Sequence, residues 1–134
     1  MPDHLFVYGT LRVGFDGPMA LWLRRSAVFM GHATIGGALY RIADYPGLTL
    51  GPEGLVHGDV FALPDAAATL AVLDDYEECA AHHPLPHEYR RVRRTVQATA
   101  GPADAWVYLY AFDTTGLPLI AGGDFLACAA NRDG

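Results

Sequence analysis

The chain has 134 residues, which fits one domain and leaves no room for two of ordinary size. Apolar residues make up 51% and charged residues 18%, a balance that excludes a disordered chain. The formal net charge is −6 and all nine basic side chains are arginines, which argues against general binding to nucleic acid or to an anionic membrane.

The start, Met1-Pro2-Asp3-His4, lacks a basic leader and a long apolar core, so a signal peptide is not expected. No apolar run is long enough to span a bilayer. Two cysteines, Cys79 and Cys128, make no disulfide framework, and reduced thiols in a cytoplasmic setting are expected. His4 to Tyr8 reads as a buried strand ending at Gly9. Pro18 suits a first helical position, with Met19 to Arg25 continuing the helix. Phe29 to Ile42 reads as a strand broken near Gly36-Gly37, and Tyr45-Pro46-Gly47 as a turn.

Val56 to Leu63 is the next strand, and Pro64-Asp65 opens a helix that runs to about Glu78. A polar loop with Pro84 and Pro86 follows. Tyr89 to Ala98 alternates Arg with Val and Thr, the mark of a half-exposed strand. Ala105 to Phe112 is a further strand, and Gly122-Gly123-Asp124 starts a last short helix. Many strands with two or three short helices predict an α+β fold, a small mixed β-barrel or half-barrel with the helices packed around it. An open mixed sheet is the alternative.

The helix at Asp65 to Glu78 carries the sharpest chemical signal. Ala66, Leu70, Leu73 and Glu77 fall on one narrow stripe, the core-facing side. Glu77 is thus aimed inward, and Glu78 about 100° away. Burial and the negative end of the helix both raise a carboxylate's pKa, which suits general acid–base work near neutral pH. The competing reading is that Glu77 points outward or forms a structural ion pair with Arg90 or Arg91. Tyr8-Gly9-Thr10-Leu11 is a strand end followed by a Gly turn, where successive backbone amides can hold an anion.

Three other groups invite a weaker reading. His82, His83 and His87 share a polar loop but match no zinc-ligand spacing, so solvated histidines are expected. Arg90 to Arg94 alternates faces, with Arg91 and Arg93 on one side, and reads as a charged strand. Cys79 lacks a histidine partner at a defined spacing and reads as a small filler rather than a nucleophile.

Taken in order, several short motifs resemble the γ-glutamylcyclotransferase-like family, in particular its AIG2-like and γ-glutamylamine cyclotransferase branch. They are Phe6-Val7-Tyr8-Gly9-Thr10-Leu11, Gly37-Ala38-Leu39-Tyr40, Tyr45-Pro46-Gly47-Leu48 and Val56-His57-Gly58-Asp59-Val60-Phe61. Leu73-Asp74-Asp75-Tyr76-Glu77, Tyr89-Arg90-Arg91, Trp106-Val107-Tyr108 and Ile120 to Phe125 complete the set. The resemblance covers nearly the whole chain and implies a single domain over residues 1–134. It implies a cavity floored by Tyr8 to Leu11, with Glu77 as the catalytic acid and base.

Gly9, Thr10 and Leu11 would then hold the substrate's carboxylate or the developing oxyanion through backbone N–H groups, and Tyr40, Tyr89 and Tyr108 would line the cavity with Tyr8. The reaction implied is cyclisation of a γ-glutamyl amine or peptide to pyroglutamate with release of an amine. It uses no metal or organic cofactor, and the partner is a small-molecule γ-glutamyl substrate, with the protein a monomer or homodimer. A non-catalytic binder of an amino acid or amine is the alternative. A metallohydrolase built on the loop histidines is a third reading. The chain departs from the resemblance where Glu78-Cys79 follows Glu77, since members often place Gly there, and the His- and Pro-rich stretch from Cys79 to Glu88 is longer and expected to rim the pocket.

Overall fold

The computed structural model describes residues 3–127. Its elements in chain order are β1 (Asp3–Val7), α1 (Pro18–Ser26), β2 (Val28–Arg41), β3 (Pro46–Leu63), α2 (Ala66–Tyr76), β4 (Tyr89–Ala98) and β5 (Gly101–Tyr110). The strands close into a barrel in the order β1-β3-β2-β4-β5. Neighbours are antiparallel except β1 and β5, which run parallel where Leu5 faces Trp106, so the barrel is mixed. Closure settles the choice between barrel, half-barrel and open sheet in favour of the first.

The long hairpin of β2 and β3 makes closure possible. It pairs from Val28↔Ala62 to Arg41↔Pro46, with register shifts at Phe29/Gly31 and Gly36/Gly37. A bulge bends and twists its strand, so one ribbon can serve two parts of the barrel wall. The expected break at Gly36-Gly37 is therefore a bulge inside a continuous strand. The expected turn at Tyr45-Pro46-Gly47 lies earlier, at residues 43–45, and Pro46 and Gly47 already pair with Arg41 and Tyr40. The strand expected from Val56 thus starts at Pro46; a proline is tolerated at a strand's first residue, and Leu48, opposite Leu39, is fully buried.

The core has two parts, and β1 separates them. Phe6 and Tyr8 point into the barrel beside Leu39, Leu48, Val56, Val96 and Val107. Leu5 and Val7 point outward against Leu23 of α1 and Leu70 and Leu73 of α2. With both faces covered, β1 is an unbroken apolar run rather than an alternating one. Leu73 is fully buried, and truncating it to Ala is expected to cost about 2–5 kcal/mol.

Helix α2 starts on Asp65, whose side chain accepts from the Ala68 N–H at 3.3 Å. The last helix begins at Phe125 rather than at Gly122, and Cys128 lies outside the described residues. Among the described residues no helix is long and apolar enough to cross a membrane.

Candidate active site

The end of α2 sets the direction of Glu77. Leu70 and Leu73 hold the helix against the barrel, and the helix stops at Tyr76, with Glu77 as its C-cap. The Cys79 N–H donates to the Asp74 carbonyl at 2.9 Å and the Glu78 N–H to the Asp75 carbonyl at 3.1 Å. This is the Schellman closure of a helix, which places the residue after the cap in the left-handed region. That residue is Glu78, at φ 57. A glycine would take this conformation without strain, which gives a physical reason for the glycine that follows the glutamate in the resembling pattern. Glu78 is exposed at the cavity rim, while Glu77 is half-buried and lines the cavity.

Opposite Glu77, β1 ends at Val7 and the chain turns, with the Arg12 N–H donating to the Gly9 carbonyl at 3.1 Å. The glycine has a packing reason: a Cβ on Gly9 would lie 2.9 Å from the Pro46 ring. Beyond the turn, Arg12 is buried and bonds Asp124 at 2.8 Å, with Asp59 at 3.5 Å. Asp59 also accepts from the Val13 N–H at 2.8 Å. This ion cluster pins the turn to β3 and to the closing segment. The sequence reading missed Arg12 and Asp59, because their partners lie far along the chain and no local pattern joins them.

The turn and the helix end enclose a cavity of about 290 Å³. Of the expected residues, Tyr8, Gly9, Thr10, Leu11, Glu77, Tyr89 and Tyr108 line it. Tyr40 does not. Leu39 points into the barrel, so strand alternation turns Tyr40 to the outer face, where it bridges to Leu119. Tyr45, Pro46, Tyr76 and Glu88 line the cavity instead and were not foreseen. Glu88 is the only part of the stretch from Cys79 to Glu88 that reaches this cavity.

The buried tyrosines are already engaged. Tyr8 donates to the Tyr108 carbonyl, Tyr89 to the Pro46 carbonyl at 2.7 Å and Tyr108 to Asp74 at 2.6 Å. Burial is the main cause that pushes all three phenols well above their ordinary range, so they form neutral walls.

Glu77 is different. Burial, and after it the charge of Glu88, raise its pKa from 4.5 to about 7. None of the ion pairs among the described residues includes it. Arg91, its expected structural partner, instead grips Asp74 through two hydrogen bonds of 2.8 and 3.0 Å. Arg91 and Arg93 do share a face, each 4.4 Å from the centre of the Trp106 ring, while Arg90 is exposed. Cys79 is pushed up to about 11, chiefly by burial and then by Asp74, so it stays a thiol and suits no nucleophilic role near neutral pH.

Asp75, His82 and His83 bring three ligand atoms within 4.8 Å of one another, so these residues are the place where a metal ion could be held. His87 stands apart, 3.3 Å from the His83 carbonyl. The Ala80 N–H donates to His83 Nδ1 at 3.1 Å, which leaves the neutral ring's proton on Nε2, facing Asp75 at 3.4 Å. That tautomer suits a hydrogen bond to the carboxylate better than a metal bond through Nε2. None of the three lines the Glu77 cavity.

A family model described as gamma-glutamyl cyclotransferase, AIG2-like matches residues 5–127. Protein ytfP from Escherichia coli is 33% identical, with 98% of this chain and 99% of that one covered and a TM-score of 0.65. An AIG2-like protein from Mus musculus is 26% identical, with 89% and 86% covered and a TM-score of 0.70. YkqA from Bacillus subtilis is similar in fold, at 21% identity and a TM-score of 0.76; 99% of this chain is covered, but this chain spans only 43% of that longer one. No curated protein sequence matches this chain significantly.

Proposed function

This chain belongs to the gamma-glutamyl cyclotransferase, AIG2-like family, and on that premise we propose that it converts a γ-glutamyl amine or peptide to pyroglutamate and a free amine, with Glu77 as general base and acid. The observation that carries this reading is Glu77 itself, an unpaired carboxylate in a tyrosine-walled cavity with a pKa of about 7. A base works best when its pKa lies near the working pH. A simple binding site for a γ-glutamyl group has no need of such a group.

The reaction is an intramolecular aminolysis. Glu77 takes a proton from the substrate's α-ammonium. The freed nitrogen attacks the γ-carbonyl, and a C–N bond forms to close a five-membered lactam. The bond to the leaving nitrogen then breaks, and Glu77 returns the proton to the departing amine. Atoms and charge balance without water. Holding the folded-back conformer can supply about 7–11 kcal/mol of the barrier, because nucleophile and electrophile share one molecule. The backbone N–H groups of Gly9, Thr10 and Leu11 are assigned to the substrate's α-carboxylate or the developing oxyanion. Tyr8, Tyr89 and Tyr108 exclude water from the site.

The test is a substrate panel with products identified by mass. A γ-glutamyl amide with a free α-amine should give pyroglutamate and no glutamate. Its N-acetylated form should be inert, since an amide nitrogen is a poor nucleophile. A β-aspartyl amide should be inert, since it would have to close a strained four-membered ring. Cleavage of the N-acetylated compound, or release of glutamate, would mean hydrolysis and would overturn the proposal. Unchanged amides throughout would favour a non-catalytic binder.

A further inference from the structure

Glu88 stands at the mouth of the Glu77 cavity, immediately before β4. Its backbone carbonyl accepts from the Ala111 N–H at 2.7 Å, which ties its main chain to the end of β5. The Tyr45 hydroxyl lies 3.0 and 3.2 Å from its two carboxylate oxygens. Glu88 is thus held at both backbone and side chain, and no Arg or His among the described residues forms an ion pair with it.

Its place along the cavity follows from which neighbours its charge reaches. After burial, the charge raising Tyr8 is that of Glu77, whereas Tyr45 and Tyr110 are raised by Glu88. Tyr8 begins the turn that takes the substrate's carboxylate in the proposed reaction. Glu77 therefore lies between that turn and Glu88, and Glu88 lies where the leaving group must pass. The charged side chains lining the cavity are Glu77, Glu78 and Glu88, and no cationic side chain lines it. A leaving group that ends in a carboxylate meets only repulsion there. One that carries a second ammonium meets a fixed, unpaired carboxylate.

We propose that Glu88, positioned by Tyr45, selects the leaving group by receiving a second ammonium at the cavity mouth, so that γ-glutamyl amides of diamines are preferred over γ-glutamyl amino acids. This rests on the cyclotransferase reading, whose carboxylate end at Tyr8 to Leu11 fixes the direction of the substrate. Glu88 is a specificity residue and moves no proton in the reaction.

The test measures binding apart from turnover. Three probes share the γ-glutamyl group and differ at the far end of the amide: the monoamide of diaminobutane, the neutral pentylamide and the amide of aminopentanoate. Calorimetry on the Glu77→Gln chain, which is expected not to consume them, should give about tenfold tighter binding of the diaminobutane amide than of the pentylamide, with the aminopentanoate amide weakest. Adding Glu88→Gln should bring the three within about threefold of one another. Tyr45→Phe, which keeps Glu88 but releases it, should shrink the preference and serves as the second variant if Glu88→Gln fails to fold.

Equal binding of all three probes would overturn the proposal. So would an equal loss for all three on Glu88→Gln, since that would put Glu88 on the α-ammonium they share, and so would failure of every probe to bind. Pyroglutamate formation by the parent chain is scored separately. Its absence alongside a charge preference would defeat the reaction and leave the selection by Glu88 standing.

Discussion

Asp74 and Glu77 stand one helical turn apart near the end of α2, and their surroundings are opposite. Asp74 receives two hydrogen bonds from Arg91 and one from the Tyr108 hydroxyl. Every donor around it is directed at it, and it ties the helix end to β4 and β5. Glu77 enters the cavity with no cation beside it and another carboxylate, Glu88, near enough to raise its pKa. A carboxylate that is matched serves to hold; one that is half-buried and unmatched is free to exchange a proton. The comparison teaches that partners, more than burial, divide a structural acid from a chemical one.

The largest effect expected from this contrast concerns pH and stability. Below the ordinary 4.5, Glu77 is protonated in both folded and unfolded chains. Between 4.5 and about 7 the unfolded chain is ionised while the folded one holds its proton, so stability falls as pH rises through this window. Above about 7 the full penalty applies, up to about 3 kcal/mol. Glu77→Gln should remove that contribution, so thermal unfolding should show the variant ahead of the parent at pH 8 and the lead gone at pH 4. Parallel losses in parent and variant would erase the distinction between the two acids.

Asp74 should behave in the reverse sense. Arg91→Met leaves its carboxylate without its main partner and should cost about 2 kcal/mol of stability by denaturant unfolding. Turnover should fall much less than in Glu77→Gln. If it falls equally far, holding and proton transfer are not separate duties. The smallest effect lies at the residue between the two roles. Glu78→Gly relieves the left-handed backbone at φ 57 and should raise stability by about 1 kcal/mol. An Ala at the same site should not, and a gain with Ala would show that charge rather than backbone strain is relieved.

Much of this was legible in the sequence, and the reasons differ by feature. The stripe of Leu70, Leu73 and Glu77 is a local signal fixed by helical period, so the inward turn of Glu77 follows without tertiary knowledge. The strand from Tyr89 to Ala98 matches β4 because alternation is equally local. The reach of β3 back to Pro46 was hidden, since Pro46-Gly47 and the glycines at 51 and 54 read as breaks, and only pairing with β2 keeps that stretch extended. Tyr40 was placed in the cavity by resemblance to a motif, and strand alternation beside Leu39 turns it away. The Arg12, Asp59 and Asp124 cluster and the pairing of Tyr45 with Glu88 join segments far apart in the chain, and only the closed barrel brings them together.

The most direct test of the account is the rate of pyroglutamate formation by Glu77→Gln against the parent chain at pH 8, on a γ-glutamyl amide that the parent consumes. With both proteins shown folded by their melting curves, kcat/KM should fall by about 10² to 10⁴. A variant that retains a rate within a few-fold of the parent would contradict the assignment of Glu77 as the base.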